Sequence, residues 1–346
     1  MGMFGSEVEY FGVDIGSSAV RLVQLKRSGS KPGLVTYGSA PIEQAWVQGD
    51  SPADADKIAG VVKQLVKDAK VTTKHVVAGL PSSRVFASVI STPKLGANEL
   101  GRAIELQAEQ YIPMSVKDAK LDWVVIGPGK TDKEQEVLIV AAPNSVTERY
   151  VGIFERAGLE LMALEPNAVA LARAVVAPGD LAVLVLDIGS VATDITIVHA
   201  NMPKLLRSIN IGGSTMVAAA AQALGLDAAQ ADQFVRKFGL TQTKLEGQVL
   251  KALKPTIDQV TSEIDKSIKF FNGNYPEIKF EKIILTGGTT AMPELPAYLS
   301  TATGLKIEVA NAWTKVAYPA QMQETLMGIS TSYGVAAGLA ERDLLG

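Results

Sequence analysis

The sequence predicts an α/β fold of two related halves facing one polyanion, with a small α+β domain inserted in the first half. Three observations predict it. A strand, Asp-Ile-Gly-Ser and a second strand occur twice, within residues 8–25 and 181–198. A buried strand later runs into Thr286-Gly287-Gly288-Thr289-Thr290 ahead of a helix. Between these motifs the apolar period switches between two, which makes strands, and three to four, which makes helices.

Each Asp-Ile-Gly-Ser turn carries its own chemistry. Glycine lets backbone amides approach a ligand, and an acidic residue at a strand end can hold a metal ion through water. One such turn is a common hairpin feature. Two copies, Asp14-Ile15-Gly16-Ser17-Ser18 and Asp187-Ile188-Gly189-Ser190, separated by well over a hundred residues, point to a duplicated core around a phosphate and its magnesium.

In order, residues 33–42 read as a third strand. A helix opens at Asp54, with Ile58, Val61, Val62, Leu65 and Val66 on one stripe, and residues 72–81 read as a strand closed by Gly79 and Pro81. From Ser82 the pattern changes: a strand at 84–90, a helix from Asn98 stopped by Pro113, strands at 121–126 and 136–142, a helix at 146–157 and a strand at 159–164. This is the expected insert, residues 82–163. Its Gly129-Lys130-Thr131 resembles the end of a Walker loop, but Val124 stands where the first glycine belongs, and a strand follows instead of a helix.

Residues 166–176 form an alanine-rich helix leading into the second hairpin. Downstream, a strand at 208–211 ends in Gly212-Gly213-Ser214, whose amides at a helix start suit phosphate or sugar. Helices follow at 228–238 and at 254–271, the latter stopped by Asn272-Gly273. The Gly287-Gly288 turn gives a flat base and ribose room against the backbone, with a helix starting near Pro293.

Composition excludes several classes. Lys plus Arg number 33 against 36 Asp plus Glu, with no block of one sign, so no nucleic-acid footprint exists. There is no cysteine, which removes disulfides, thiolate metal sites and a cysteine nucleophile, and the two histidines, His75 and His199, cannot build a histidine-rich metal site. The start of the chain lacks the basic and apolar regions of a signal peptide, and no uncharged apolar run reaches the ~20 residues of a membrane span. A soluble cytoplasmic protein is expected, with any membrane role coming through a partner.

These motifs resemble the actin-like ATPase superfamily, whose ribonuclease H-like core is duplicated. Asp14 to Ser18 is similar to its first phosphate motif, Asp187 to Asp194 to its second, and Leu285 to Gly288 to its adenosine motif. Within the superfamily the chain resembles the PilM family of type IV pilus assembly. The segments that carry this are Gln107-Ala108-Glu109-Gln110-Tyr111-Ile112-Pro113, Leu121-Asp122-Trp123, Val140-Ala141-Ala142-Pro143, Ala170-Leu171-Ala172-Arg173 and the closing residues 333–340.

The resemblance implies a first half of residues 1–81, 164–186 and 320–346, and a second half of 187–226 and 280–319 carrying a subdomain at 227–279. It implies ATP or ADP with Mg2+. Gly16, Ser17, Ser18, Gly189, Ser190, Thr193, Asp194, Gly212, Gly213 and Ser214 would hold phosphates, and Arg21 stands where relatives often have lysine. Asp14 and Asp187 would position magnesium through water, while Asp232, Lys237, Gly287, Gly288 and Thr289 would face the adenosine. Glu165 is the candidate to orient an attacking water, and slow or absent turnover is expected. The implied partner is the N-terminal cytoplasmic tail of PilN, in a groove between insert and first half, beside other platform proteins; self-association stays open. The alternatives are an FtsA-like division filament, disfavoured by the absence of an amphipathic tail after residue 340, a sugar kinase, and the cytoplasmic module of a type II secretion platform.

Overall fold

The computed structural model describes residues 8–179 and 181–344. In the first sheet, β1 (Phe11–Ile15), β2 (Ala19–Lys26) and β3 (Gly33–Pro41) make an antiparallel meander. Beyond β1, β4 (His75–Leu80) and then β8 (Glu160–Pro166) add in parallel, giving the order β3-β2-β1-β4-β8. The second sheet repeats this with β9 (Ala182–Ile188), β10 (Thr193–His199), β11 (Met202–Ile209), β12 (Phe280–Thr286) and β13 (Lys306–Val309), in the order β11-β10-β9-β12-β13. The expected duplication is therefore a duplication of topology, and this is the actin-like fold. Residues 182–186 are apolar without alternation because β9 lies between β10 and β12 and is covered on both faces.

Three apolar layers hold the sheets. Outside the first sheet, α1 (Gln44–Gln48), α2 (Pro52–Asp68) and α4 (Asn144–Ala157) enclose a core in which Ile58, Val62, Ile153 and Phe154 meet Phe11, Val13 and Leu22. Ser51 caps α2, its hydroxyl accepting from the Asp54 amide at 3.1 Å. Between the two sheets lie α5 (Asn167–Val175) and α10 (Gln323–Ala340), whose small residues pack with Val23, Val77, Val183 and Trp313. Outside the second sheet, α6 (Gly213–Leu224), α7 (Ala228–Phe238), α8 (Gln248–Asn274) and α9 (Leu295–Thr303) cover Leu184, Leu186 and Ile195. The insert is a separate three-stranded sheet of β5 (Phe86–Pro93), β7 (Glu134–Pro143) and β6 (Ala119–Pro128), with α3 (Ala97–Tyr111) on one face. Among the described residues no helix is long and apolar enough to cross a membrane.

Several boundaries differ from the expectation, each because a distant partner decides them. β8 pairs with β4, and α4 packs in the core of the first half, so the inserted layer ends at β7 instead of residue 163. β9 belongs wholly to the second sheet, so that half begins near residue 182, not 187. β11 starts at Met202 instead of Ser208 because it pairs along the length of β10. α8 starts at Gln248 with Pro255 inside it, since buried Val249 and Leu253 extend its apolar stripe ahead of the proline. It also runs through Asn272-Gly273 to Asn274, past the expected stop. Pro293 precedes α9, and Pro296 occupies its first turn.

Candidate functional site

In each half the parallel strands end on one edge, with β1, β4 and β8 finishing at Ile15, Leu80 and Pro166, and β9 and β12 at Ile188 and Thr286. Open α/β sheets bind ligands beyond such carboxyl ends. The first hairpin register sets Asp14 opposite Arg21, and the second sets Asp187 opposite Asp194. A Cβ added to Gly16 would lie 3.5 Å from Arg21 Nη1 and 3.7 Å from Asp14 Oδ2, so the glycine lies against both charged groups.

The two hairpins lie within each other's electrostatic field. Burial raises the Asp14 carboxyl to about 6 against the pull of Arg21. Asp187 is pushed up to about 7, first by burial, then by Asp194 and by Asp14 from the other half, while Arg21 opposes them. Asp194 is also raised by burial, although the Ser208 and Ser82 hydroxyls favour its charged form. Asp14 and Asp187 thus share the field of the Arg21 guanidinium, with Asp194 beside Asp187, an arrangement in which an added cation is favoured. Among the described residues no three His, Asp or Glu side chains gather as direct metal ligands. The donor set suits a cation held through its water shell.

The glycine turns of the second half are knit to the second hairpin. Gly213 N–H donates to Gly189 O at 2.9 Å, Ser214 N–H to Ser190 O at 2.8 Å, and the Ser190 and Ser214 hydroxyls lie 3.0 Å apart. A Cβ on Gly212 would sit 2.6 Å from Ser190 O, which is why glycine is needed there. These amides are engaged within the protein, and the Gly212-Gly213-Ser214 segment buttresses the Gly189-Ser190 turn. Thr193 Oγ1 donates to Ile211 O at 2.7 Å and serves the same scaffold. Ser17 and Ser18 stay at the open end of the first turn, and Ser18 O accepts from the Ile42 amide at 3.1 Å.

Gly287 has φ +94°, and a Cβ there would lie 2.4 Å from Asp187 Oδ1 and from Ile188 O. Its amide donates to Thr331 O of α10 at 3.0 Å, as does Thr286 Oγ1 at 2.8 Å. Thr289 Oγ1 reaches Gly189 O at 3.4 Å, joining the adenosine-type turn to the phosphate-type turn. The expected result of Gly287→Ala is displacement of Asp187 and, in the nucleotide-binding reading proposed below, at least a tenfold loss of nucleotide affinity, about 1.4 kcal/mol. Calorimetric titration checks it.

Other expected site residues are placed elsewhere. Glu165 accepts from Arg173 through both oxygens, at 3.0 Å for Oε2, and Arg173 also donates to Gly338 O at 2.7 Å. That bidentate pair ties β8 to α5, and the bond to Gly338 O carries the tie on to α10, so Glu165 is engaged within the fold. Asp232 accepts from Arg236 Nε at 2.7 Å on the exposed side of α7, and Lys237 Nζ lies 5.4 Å from the Phe238 ring centre. Sequence reading missed Tyr150, buried on α4 within the field of Asp14, and Thr331, whose carbonyl holds Gly287. Both reach the site through long-range packing.

A second concavity, of about 310 Å3, lies between insert and first half. Lys120, Asp122, Val140 and Ala142 line one wall and Leu161 to Leu164 of β8 the other. β6 is the outermost strand of the insert sheet and β8 the outermost of the first, so both flank the groove with an unpaired edge. Met162, in the β8 wall, is about half exposed.

The family described as type IV pilus assembly protein PilM matches residues 12–344. The chain belongs to that family. PilM membership favours pilus assembly over the division-filament and secretion-module alternatives. Among solved structures, the PilM-PilN type IV pilus biogenesis complex is 27% identical, covers 97% of this chain and 99% of that chain, and has a TM-score of 0.84. The ethanolamine utilization protein EutJ from Carboxydothermus hydrogenoformans is 16% identical over 99% of this chain and 91% of its own, with a TM-score of 0.58. MreB5 of Spiroplasma citri bound to ADP is 12% identical over 98% of this chain and 97% of its own, with a TM-score of 0.57. These last two share the fold.

Proposed function

We propose that the protein is a cytoplasmic, ATP-binding scaffold of the type IV pilus inner-membrane platform. In this reading it docks the N-terminal cytoplasmic tail of PilN in the groove beside β8. The observation that carries the nucleotide half is that Asp14 and Arg21 of the first hairpin act on Asp187 of the second, which stands opposite Asp194. The partner half rests on likeness to the PilM-PilN complex and on a groove between two unpaired strand edges, the geometry in which an extended peptide adds as a strand.

Gly16, Ser17 and Ser18 with the Gly189-Ser190 turn face the phosphates, Arg21 neutralises part of their charge, and Gly287, Gly288 and Thr289 pack on the adenosine. Asp14 and Asp187 hold the water shell of magnesium, which supplies the charge that offsets the triphosphate oxygens. Asp232 and Lys237 reach the adenosine only by leaving Arg236 and Phe238. Glu165, the candidate to orient an attacking water, is held by Arg173, so turnover is slow. A rate of tens per second in purified protein would overturn that last point.

Calorimetry with Mg-ATP and with the PilN tail peptide tests both halves. Met162→Glu places a charge on the half-exposed wall of the groove. It is expected to weaken peptide binding by roughly 100-fold, about 3 kcal/mol, with Mg-ATP affinity unchanged. Unchanged peptide affinity would remove the groove from the reading.

A further inference from the structure

A row of polar side chains crosses the second sheet. Asp187 of β9, Asp194 of β10 and Ser208 of β11 are register partners, which puts all three on one face of the sheet. Ser82 reaches the same place from the first half, out of the short 3-10 turn that joins β4 to β5 at the root of the insert. Its hydroxyl and that of Ser208 both favour the charged form of Asp194, so the three side chains stand together.

The oxygens of this cluster are left over by the fold. Asp194 Oδ1, Ser82 Oγ and Ser208 Oγ are all buried, and none of them closes a hydrogen bond with another group of the described residues. Buried polar atoms are nearly always partnered. Three orphans beside one another, drawn from both halves, call for a partner that the chain does not supply. Ser82 and Ser208 also line a cavity of about 350 Å3, with Ser83, Asn210, Pro166 and Leu206. It shares only Pro166 with the groove beside β8 and none of its lining with the glycine turns of the second half. Arg207 at its wall is engaged by Glu263 at 2.5 Å, so that charge is already answered.

The donor set selects the ligand. Every orphaned atom is oxygen, the choice of hard cations, and an anion would face the Asp194 carboxylate. Only one of the three groups ionises, which balances one positive charge. Magnesium or calcium would call for more carboxylates, and among the described residues no three His, Asp or Glu side chains gather. We propose that Asp194, Ser82 and Ser208 bind a monovalent cation, potassium or sodium, that bridges the two halves at the root of the insert. The site is separate from the magnesium position assigned to Asp14 and Asp187, and it needs neither nucleotide nor peptide.

The test follows the melting midpoint of the full chain, without nucleotide and with a chelator. Potassium chloride or sodium chloride at about 0.2 M is set against choline chloride at the same ionic strength, which keeps screening equal. A ligand held only by the folded state raises the midpoint, and an increment of about 2 °C is expected in the parent with at least one of the two metal ions. Ser82→Ala/Ser208→Ala should lose the increment while melting no lower than the parent in choline, because an orphaned hydroxyl contributes no bond to the fold. Asp194→Asn, which keeps the shape and removes the charge, should lose it too. In crystals grown with a thallous salt, whose cation stands in for potassium and scatters strongly, anomalous density is expected among the three oxygens. Equal midpoints in all three salts would overturn the site and leave the oxygens to ordered water. An increment that survives in the double variant, or thallous density only at Asp14 and Asp187, would overturn it as well. Neither result bears on nucleotide or peptide binding, which the calorimetry above tests by itself.

Discussion

Asp187→Asn is expected to make the free protein more stable at pH 8 while removing most of its affinity for Mg-ATP. Asp187 has a carboxyl raised to about 7, from the 3.8 of an unburied aspartate, by burial and by Asp194 and Asp14. A raised carboxyl stabilises the fold below its unfolded value, and that contribution is lost as pH climbs through the folded value. From pH 5 to pH 8 the free protein should therefore lose stability, through Asp14 near 6 and Asp187 near 7. At about 1.4 kcal/mol per pH unit, discounted for the water that reaches half-buried Asp187, the variant should gain about 2 kcal/mol at pH 8. For a chain of this size that is roughly 3 °C in the melting midpoint. Removing one carboxylate from a metal's outer shell should cost roughly 10- to 100-fold in affinity. Scanning calorimetry and titration check the pair of signs. A variant that melts lower at pH 8, or binds Mg-ATP like the parent, would remove Asp187 from the site. Mg-ATP should also flatten the parent's pH dependence, because a cation among these groups restores their ordinary acidity.

The two phosphate-type turns were legible because each is a local device: a strand, a glycine and an acidic residue within a few positions. The glycine pairs were legible as turns, but not as what they do. Gly212 and Gly213 admit the carbonyls of Gly189 and Ser190, and no pattern within ten residues records which backbone will approach. Glu165 read as a cleft carboxylate because it closes β8, yet the guanidinium that claims it stands eight residues later on α5, turned inward beside Gly338. The end of the insert was misplaced because sheet membership is non-local. β8 looks like the last strand of a compact α+β unit until its pairing with β4, more than eighty residues earlier, is known. The contact of Glu136 with Lys204 and Tyr275 had no signal at all, since the three come from three elements and two halves.

The closing helix offers a test of packing in which three identical substitutions should give three different results. α10 crosses α5 between the two sheets, and Gly338 is where their backbones touch: a Cβ there would lie 1.8 Å from Ala170 O. Neither partner can yield, since the obstacle is a main-chain carbonyl in a helix whose Ala170, Leu171 and Ala174 are buried. Gly338→Ala must therefore push the helices apart, disturb the Arg173 bond to Gly338 O and open voids beside Leu339, at a cost of about 3 kcal/mol or more. At Gly334 the added carbon would meet Leu171 Cδ1 at 2.4 Å, the end of a side chain that can turn, so about 1 kcal/mol is expected. At Gly328, exposed on the same helix with nothing within 4 Å, alanine meets no obstacle and lowers the helix's conformational entropy cost. Gly328→Ala should stabilise by about 0.5 to 1 kcal/mol. Because α5 and α10 are the crossing elements between the halves, the Gly338 variant should also blunt any change in cleft angle on nucleotide binding, whereas the Gly328 variant leaves it as in the parent. Denaturant unfolding of the three variants measures the order of the costs, and a Gly338→Ala protein as stable as its Gly328 counterpart would show that the two helices are not in backbone contact.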